Sequence, residues 1–229
     1  MTLGADDWGA VLLSLKVAAA ATLFGLPLAL LVAQALARGR FPGRSLLDAL
    51  VHLPLVLPPV ATGFGLLLLF GHQGPAGRAL EALGLSLAFR WTGAALASAV
   101  MAFPLMVRPI RLAIEAIDPE VEEAARTLGA GPVVRFFTVT APLAAPGLAA
   151  GAVLGFAKAL GEFGATITFV GAIPGETLTL PAAIYQATQV PGAEPRALAL
   201  CLISAAIAVA AVLASDIVSR RIVAARARG

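Results

Sequence analysis

Charged residues divide the chain into long apolar windows. Lys16 and Arg38 bound an uncharged stretch at 17–37, 21 residues long. Four more follow at 49–77, 91–107, 136–157 and 197–215, of 29, 17, 22 and 19 residues. A bilayer core about 30 Å thick needs about 20 apolar residues in a spanning helix, so each window is a candidate crossing. Backbone groups find no water at that depth, so they must bond within the segment, and helices do this where open strands do not. The pattern therefore predicts an all-α integral membrane protein with five transmembrane helices. A sixth crossing is conceivable at 165–190, but Pro174, Glu176 and Pro181 argue against a full span there.

Prolines stand inside the windows, among them Pro54, Pro58 and Pro59 in the second and Pro104 in the third. Each removes a backbone donor, so kinks or breaks are expected at these points. Plain kinks without a transport role are the alternative. Small residues fill the windows and suit close helix packing.

Composition agrees with this reading. Of 229 residues, 59% are hydrophobic and 13% charged, where a soluble domain carries about 25% charged residues. Mean hydropathy is +0.92. A typical soluble enzyme and a disordered chain are both excluded. The single Cys201 excludes a disulfide framework or a cysteine zinc site within one chain. The net charge of +3 does not point to nucleic acid, because the arginines border apolar runs instead of forming one basic face. They also orient the chain. With the N-terminus outside, eleven arginines face the cytoplasm: Arg38, Arg40, Arg44, Arg108, Arg111, Arg126, Arg135, Arg220, Arg221, Arg226 and Arg228. Only Arg78, Arg90 and Arg196 lie outside. Asp6 and Asp7 precede the first window where a secretory signal would be basic, so the first span is expected to be retained.

Between 114 and 136 the character changes. Asp118 followed by Pro119 is a helix start, with a side-chain acceptor at the N-cap and proline at the first helical position. Glu120, Glu122 and Glu123 fall in the first turn, where the helix dipole favours negative charge, and Gly129 is placed to end the helix. A short, charged, amphipathic cytoplasmic helix is expected, with Phe136 and Phe137 anchoring the segment at the interface. A solvated connecting loop is the bland alternative.

Glu123-Ala124-Ala125, three residues, Gly129, nine residues, then Val139-Thr140-Ala141-Pro142 resembles the signature loop of the permease subunits of ABC importers. That loop reads Glu-Ala-Ala, three residues, Gly, nine residues, Ile, one residue, Leu-Pro. Val139 is a conservative departure and Ala141 is not. The resemblance implies a type I ABC importer permease fold. It assigns 1–229 to one transmembrane permease domain and 115–142 to a cytoplasmic coupling loop, whose Glu123, Ala124, Ala125, Gly129, Val139 and Pro142 dock on a separate ATPase subunit. It further implies a homodimer, two ATP-binding subunits and an extracytoplasmic binding protein docking on the outer loops at 71–91 and 163–195. The site is the prokaryotic plasma (inner) membrane, with lipid as surroundings and a cytoplasmic C-terminus.

The chain contains no motor. Its two lysines, Lys16 and Lys158, do not follow glycine, so a phosphate loop is absent. The chain is expected to be no enzyme and to bind no cofactor, with ATP and magnesium held by the partner. His52 and His72 are far apart and read as packing or interface residues more readily than as metal ligands.

The second informative stretch runs from Lys158 through Gly161, Glu162, Phe163, Gly164, Ala165, Thr166 and Thr168 to Pro174-Gly175-Glu176-Thr177. It resembles the molybdate/tungstate branch of these permeases, with sulfate and thiosulfate permeases as close relatives. Lys158 and Glu162 stand four apart, on one helix face. Ionised groups at depth pair or face a cavity, so a gate and a packing pair are both open readings. Gly161 and Gly164 let backbones approach, Phe163 lies between them, and the hydroxyls of Thr166 and Thr168 are expected to line a pathway. A tetrahedral dianion cannot shed its hydration into hydrocarbon, so the route must be a wet cavity of hydroxyls and backbone N–H groups. No deep arginine pair exists to trap the anion, which favours weak binding in the membrane and selectivity on another chain. A non-transporting membrane scaffold explains the spans but not the capped helix. An intramembrane enzyme would need a catalytic cluster beyond Lys158 and Glu162.

Overall fold

Three helices are long and apolar enough to cross a membrane, and two bent helix pairs bring the count to five if each is one crossing. The computed structural model describes residues 3–226 and has no strand among them. The crossings are α1 (Ala5–Arg38), the pair α2 (Arg44–Val56) and α3 (Pro59–Phe70), α5 (Trp91–Glu115), the stretch ending in α9 (Ala145–Leu160), and α12 (Glu194–Arg226). Short helices connect them: α4 (Pro75–Glu81), α6 (Pro119–Thr127), α7 (Pro132–Arg135), α8 (Ala141–Leu143), α10 (Gly164–Val170) and α11 (Leu180–Thr188), with a π-helical turn at Phe136–Thr140. Each apolar window falls on one crossing, and 165–190 forms two short helices instead of a sixth span. Arg228 lies outside the described residues.

The prolines act unequally. At Pro58 and Pro59 the helix breaks and the chain bends by 115° between α2 and α3. A residue before proline is driven out of the helical region. Leu57 is extended at ψ 143°, and Pro58, itself before a proline, at ψ 134°. Pro54 and Pro104 stand alone and stay inside α2 and α5, so no break occurs at either. The fourth crossing bends by 70° between α8 and α9.

The core is α1 and α9 against α5. On α1, Ala18, Ala21, Gly25, Ala29 and Ala33 recur at three- and four-residue steps and are buried, one narrow stripe of small residues. On α9, Gly147, Gly151 and Gly155 repeat every four. They meet Met106 and Ile110 of α5, which are fully buried. A Cβ at Gly151 would stand 2.8 Å from the Met106 carbonyl oxygen. Without a hydrophobic drive between helices in lipid, this close contact is the cohesion. Gly151→Val is therefore expected to cost about 1–3 kcal/mol by overpacking. The check is a lowered Tm of the detergent-purified protein. An unchanged Tm would mean that the crossing relaxes freely.

Polar ties close both ends. At one end, Asp7 of α1 is buried and takes a forked pair from Arg196 of α12, Nε and Nη2 standing 2.9 and 2.6 Å from Oδ1. The Leu180 amide donates to Ser14 Oγ at 2.6 Å, joining α11 to α1. Near the same end, Lys16 Nζ lies 3.6 Å above the Trp91 ring, a cation–π contact from α1 to α5. At the other end, Arg111 of α5 reaches Asp48 of α2 at 3.0 Å and Glu115 at 2.8 Å.

Candidate functional site

The charged segment folds as its local sequence dictates. Asp118 Oδ1 accepts from the Glu120 amide at 2.9 Å, Pro119 opens α6, and Glu120 and Glu122 occupy its first turn. The helix ends in a left-handed residue: Gly129 has φ 87°, and its amide donates to the Arg126 carbonyl at 3.0 Å. A side chain is strained at that φ, so glycine is required there. No residue of α6 is buried. Its outer surface is apolar in places, with Leu128 89% exposed and Val133, Val134 and Phe137 exposed beyond it. Phe136 and Phe137 pack edge to face at 5.1 Å. Glu123 pairs with Arg126, and both are exposed. Ala124 is exposed, Ala125 and Val139 half-buried, and Pro142 exposed. Of the signature residues, Glu123, Ala124, Gly129 and Pro142 are thus exposed and Ala125 and Val139 are half-buried.

What holds this segment to the membrane part is a different set, which the sequence pattern did not single out. Arg38, in the last turn of α1, donates through Nη2 to the carbonyls of Ile114 (3.0 Å) and Ile117 (2.8 Å), at the end of α5. Its Nε stands 3.2 Å from Glu122 Oε2. The other oxygen of Glu122 accepts from Thr140 Oγ1 at 2.9 Å. The sequence marked Glu122 only as a first-turn acid of α6, and Arg38 only as a window boundary and a sign of membrane orientation.

The second stretch forms the corner between α9 and α10. Glu162 is 2% exposed. Its Oε2 pairs with Lys158 Nζ at 2.6 Å, and its Oε1 accepts from the Ala165 amide at 2.9 Å. The carboxylate therefore closes the last turn of α9 and satisfies a first-turn donor of α10. Gly161 makes the turn, and the Phe163 ring packs on Tyr185 of α11 at 5.1 Å. Gly164 abuts Pro59, and Ala165 crosses Gly63 of α3 closely enough that a Cβ there would stand 2.5 Å from the Ala165 oxygen. The threonines differ from the expected pathway donors. Thr166 Oγ1 donates to the Phe163 carbonyl at 2.9 Å and Thr168 Oγ1 to that of Gly164 at 2.8 Å, and Thr166 is buried. Each hydroxyl hydrogen is engaged by its own helix, a common fate of helical threonine in an apolar medium.

A groove of about 610 Å³ lies elsewhere, between α1, α2 and α5, lined by Phe24, Leu28, Leu50, Pro54, Leu96 and Phe103 among others. Its apolar wall suits no dianion, and none of the corner residues lines it. His52 turns its Nδ1 to the Asp48 carbonyl at 2.9 Å, and His72 pairs with Glu81. No cluster of three metal-ligating side chains occurs among the described residues.

Comparison with known proteins decides the family. Residues 25–224 match the binding-protein-dependent transport system inner membrane component family. The chain belongs to this family. It is an inner-membrane permease subunit, and that role is itself no catalyst. The permease is 54% identical over 221 residues to the molybdenum transport system permease protein ModB of Escherichia coli K12, covering 96% of both chains. It is 42% identical over 164 residues to the sulfate transport system permease protein CysT of Salmonella typhimurium, covering 72% of this chain and 59% of that one. Its fold is that of the permease chain in a bacterial alginate ABC transporter, solved in complex with a periplasmic protein bound to an alginate pentasaccharide. There the TM-score is 0.76 at 23% identity, over 96% of this chain and 80% of the other. The type I permease fold expected from the signature loop is thereby established.

Proposed function

We propose that this permease carries molybdate, or its near-isostere tungstate, inward as the membrane subunit of an ATP-driven importer working by alternating access. The observation that carries the reading is the 54% identity to a molybdenum permease along 96% of both chains. The match to a sulfate permease is weaker and shorter, and sulfate or thiosulfate is the second reading. Two copies would form the pathway, since the groove between α1, α2 and α5 is walled by apolar residues. Two ATPase subunits, holding ATP and magnesium, would dock on the exposed face of α6 through Glu123, Ala124, Ala125 and the turn at Gly129, with Val139 and Pro142 behind them. An extracytoplasmic binding protein would deliver the anion at the opposite end, with the N-terminus outside and the C-terminus cytoplasmic. The arginine distribution supports that orientation.

The chemistry fits a conduit of low affinity. Two cations of the bundle are already engaged: Lys158 by Glu162 and Arg196 by Asp7. An anion would thus meet no free fixed charge among them, and hydration must accompany it through the dimer. Selectivity then belongs to the binding protein.

The test is ATP hydrolysis by the complex in liposomes, with binding protein loaded with molybdate, tungstate or sulfate. Stimulation by molybdate and tungstate but not sulfate is expected. Stimulation by sulfate alone would keep the importer and replace its substrate.

A further inference from the structure

The ATPase signature begins at Glu123, yet Glu123 touches only Arg126 of its own helix, in the open. Its neighbour Glu122 faces the other way. Both of its carboxylate oxygens are engaged: Oε2 faces Arg38 Nε at 3.2 Å, and Oε1 accepts from Thr140, which is 1% exposed. Arg38 itself grips the carbonyls of Ile114 and Ile117. Both carbonyls sit where α5 ends: Ile114 is in its last turn, its carbonyl also accepting from the Ile117 amide at 3.1 Å, and Ile117 lies just past the helix.

We infer that Arg38, Glu122 and Thr140 form a latch that makes α6 move as one body with the inner ends of α1 and α5. The inference rests on the reading of α6 as the ATPase docking element. Three consequences follow from the geometry. The segment α6 has no buried residue of its own, so little else fixes its angle to the bundle. The Arg38 guanidinium joins three separate pieces at once: its own helix, the end of α5 and α6. A planar fork does this where a point charge cannot. Thr140 sits on the π-helical turn at Phe136–Thr140, so the same carboxylate also registers the start of the fourth crossing. Motion imposed on α6 is thereby passed to the first, third and fourth crossings together. These are positioning residues: none touches the transported anion.

The test uses the whole complex, permease with ATPase, in liposomes. The variants are Arg38→Met, Glu122→Gln and the double variant, with Arg38→Lys as the conservative replacement. Three quantities are read: anion uptake, ATP hydrolysed per anion moved, and amide hydrogen exchange of 119–128. The ATPase is expected to stay bound, because the exposed face of α6 is unchanged. ATP hydrolysed per anion should rise by about tenfold in each single variant, between the effect of breaking an exposed ion pair and that of breaking a buried one. The double variant should be no worse than the more damaged single one, since either change opens the same latch. Arg38→Lys should fall between native and Arg38→Met. Exchange at 119–128 should accelerate in all of the latch variants. A merely structural loss would lower the yield of complex and leave the ratio unchanged.

A native ratio with native exchange in Arg38→Met would overturn the latch, as would additive effects in the double variant. Accelerated exchange with a native ratio would likewise overturn it as a transmission element. The underlying reading has its own control: Leu128→Asp, on the outer face and away from the latch, should release the ATPase without changing exchange at Glu122. Native ATPase association in that variant would remove the docking reading whatever the latch variants show.

Discussion

Gly129→Pro is expected to reduce anion uptake by about two orders of magnitude while the permease still inserts and folds. Gly129 has φ 87°, and proline is locked near −65°. The substitution also deletes the amide that donates to the Arg126 carbonyl at 3.0 Å. A misplaced proline costs about 3 kcal/mol, which corresponds to roughly a hundredfold shift in the population of the native turn. Because α6 buries no residue, the loss is confined to the segment around α6 and the packed helices of the bundle are spared. Leu128 loses its place on the exposed face when the turn collapses. Glu123→Arg acts through the partner instead. On this chain it only sets two like charges three residues apart, a matter of a few tenths of a kcal/mol. The checks are uptake into liposomes, membrane yield, and co-purification of the ATPase. Native uptake with native ATPase association in Gly129→Pro would remove α6 from the coupling path.

These expectations show where the sequence was legible. The cap at Asp118–Pro119 and the stop at Gly129 are written within a dozen residues, and both appear as read. Three of the five apolar windows became single helices long enough to cross, and the other two became bent helix pairs. Their ends were less legible: α1 begins at Ala5 and α5 runs to Glu115, since helices continue past the apolar core into water. Proline was informative only in tandem. Pro58 and Pro59 force two successive residues into extended backbone, whereas Pro54 and Pro104 are absorbed. The direction of a threonine hydroxyl was not readable, and Thr166 and Thr168 turned to the carbonyls of Phe163 and Gly164 one turn earlier. The latch was invisible for a different reason. Arg38 and its α5 carbonyl partners are 76 and 79 residues apart, and only the packing of α1 on α5 brings them together.

Lys158→Met is expected to be more damaging than Glu162→Gln, although the two residues form one pair. The asymmetry comes from burial. The Glu162 side chain is 1% exposed and that of Lys158 is 29% exposed. Removing the lysine leaves a carboxylate in the apolar interior with only the Ala165 amide, and breaking a buried pair this way costs about 3–5 kcal/mol. Removing the charge on Glu162 leaves an amide side chain whose carbonyl still accepts from Ala165, while Lys158 extends its ammonium toward water along its own stem. Glu162→Gln should therefore assemble with its ATPase near native yield, and Lys158→Met should assemble poorly. The double variant should recover most of the stability lost in Lys158→Met, because no charge is then left stranded. Thermal unfolding of the purified complex reads all three. The order Lys158→Met below the double variant below Glu162→Gln supports a pair that shapes the α9–α10 corner. Equal stability of the two single variants would mean that burial does not set the energetics here. Uptake per assembled complex separates the remaining roles. A Glu162→Gln complex that transports at the native rate confines the pair to the corner, while a several-fold change in uptake or basal hydrolysis assigns it to the gate, since the Ala165 bond is retained in that variant.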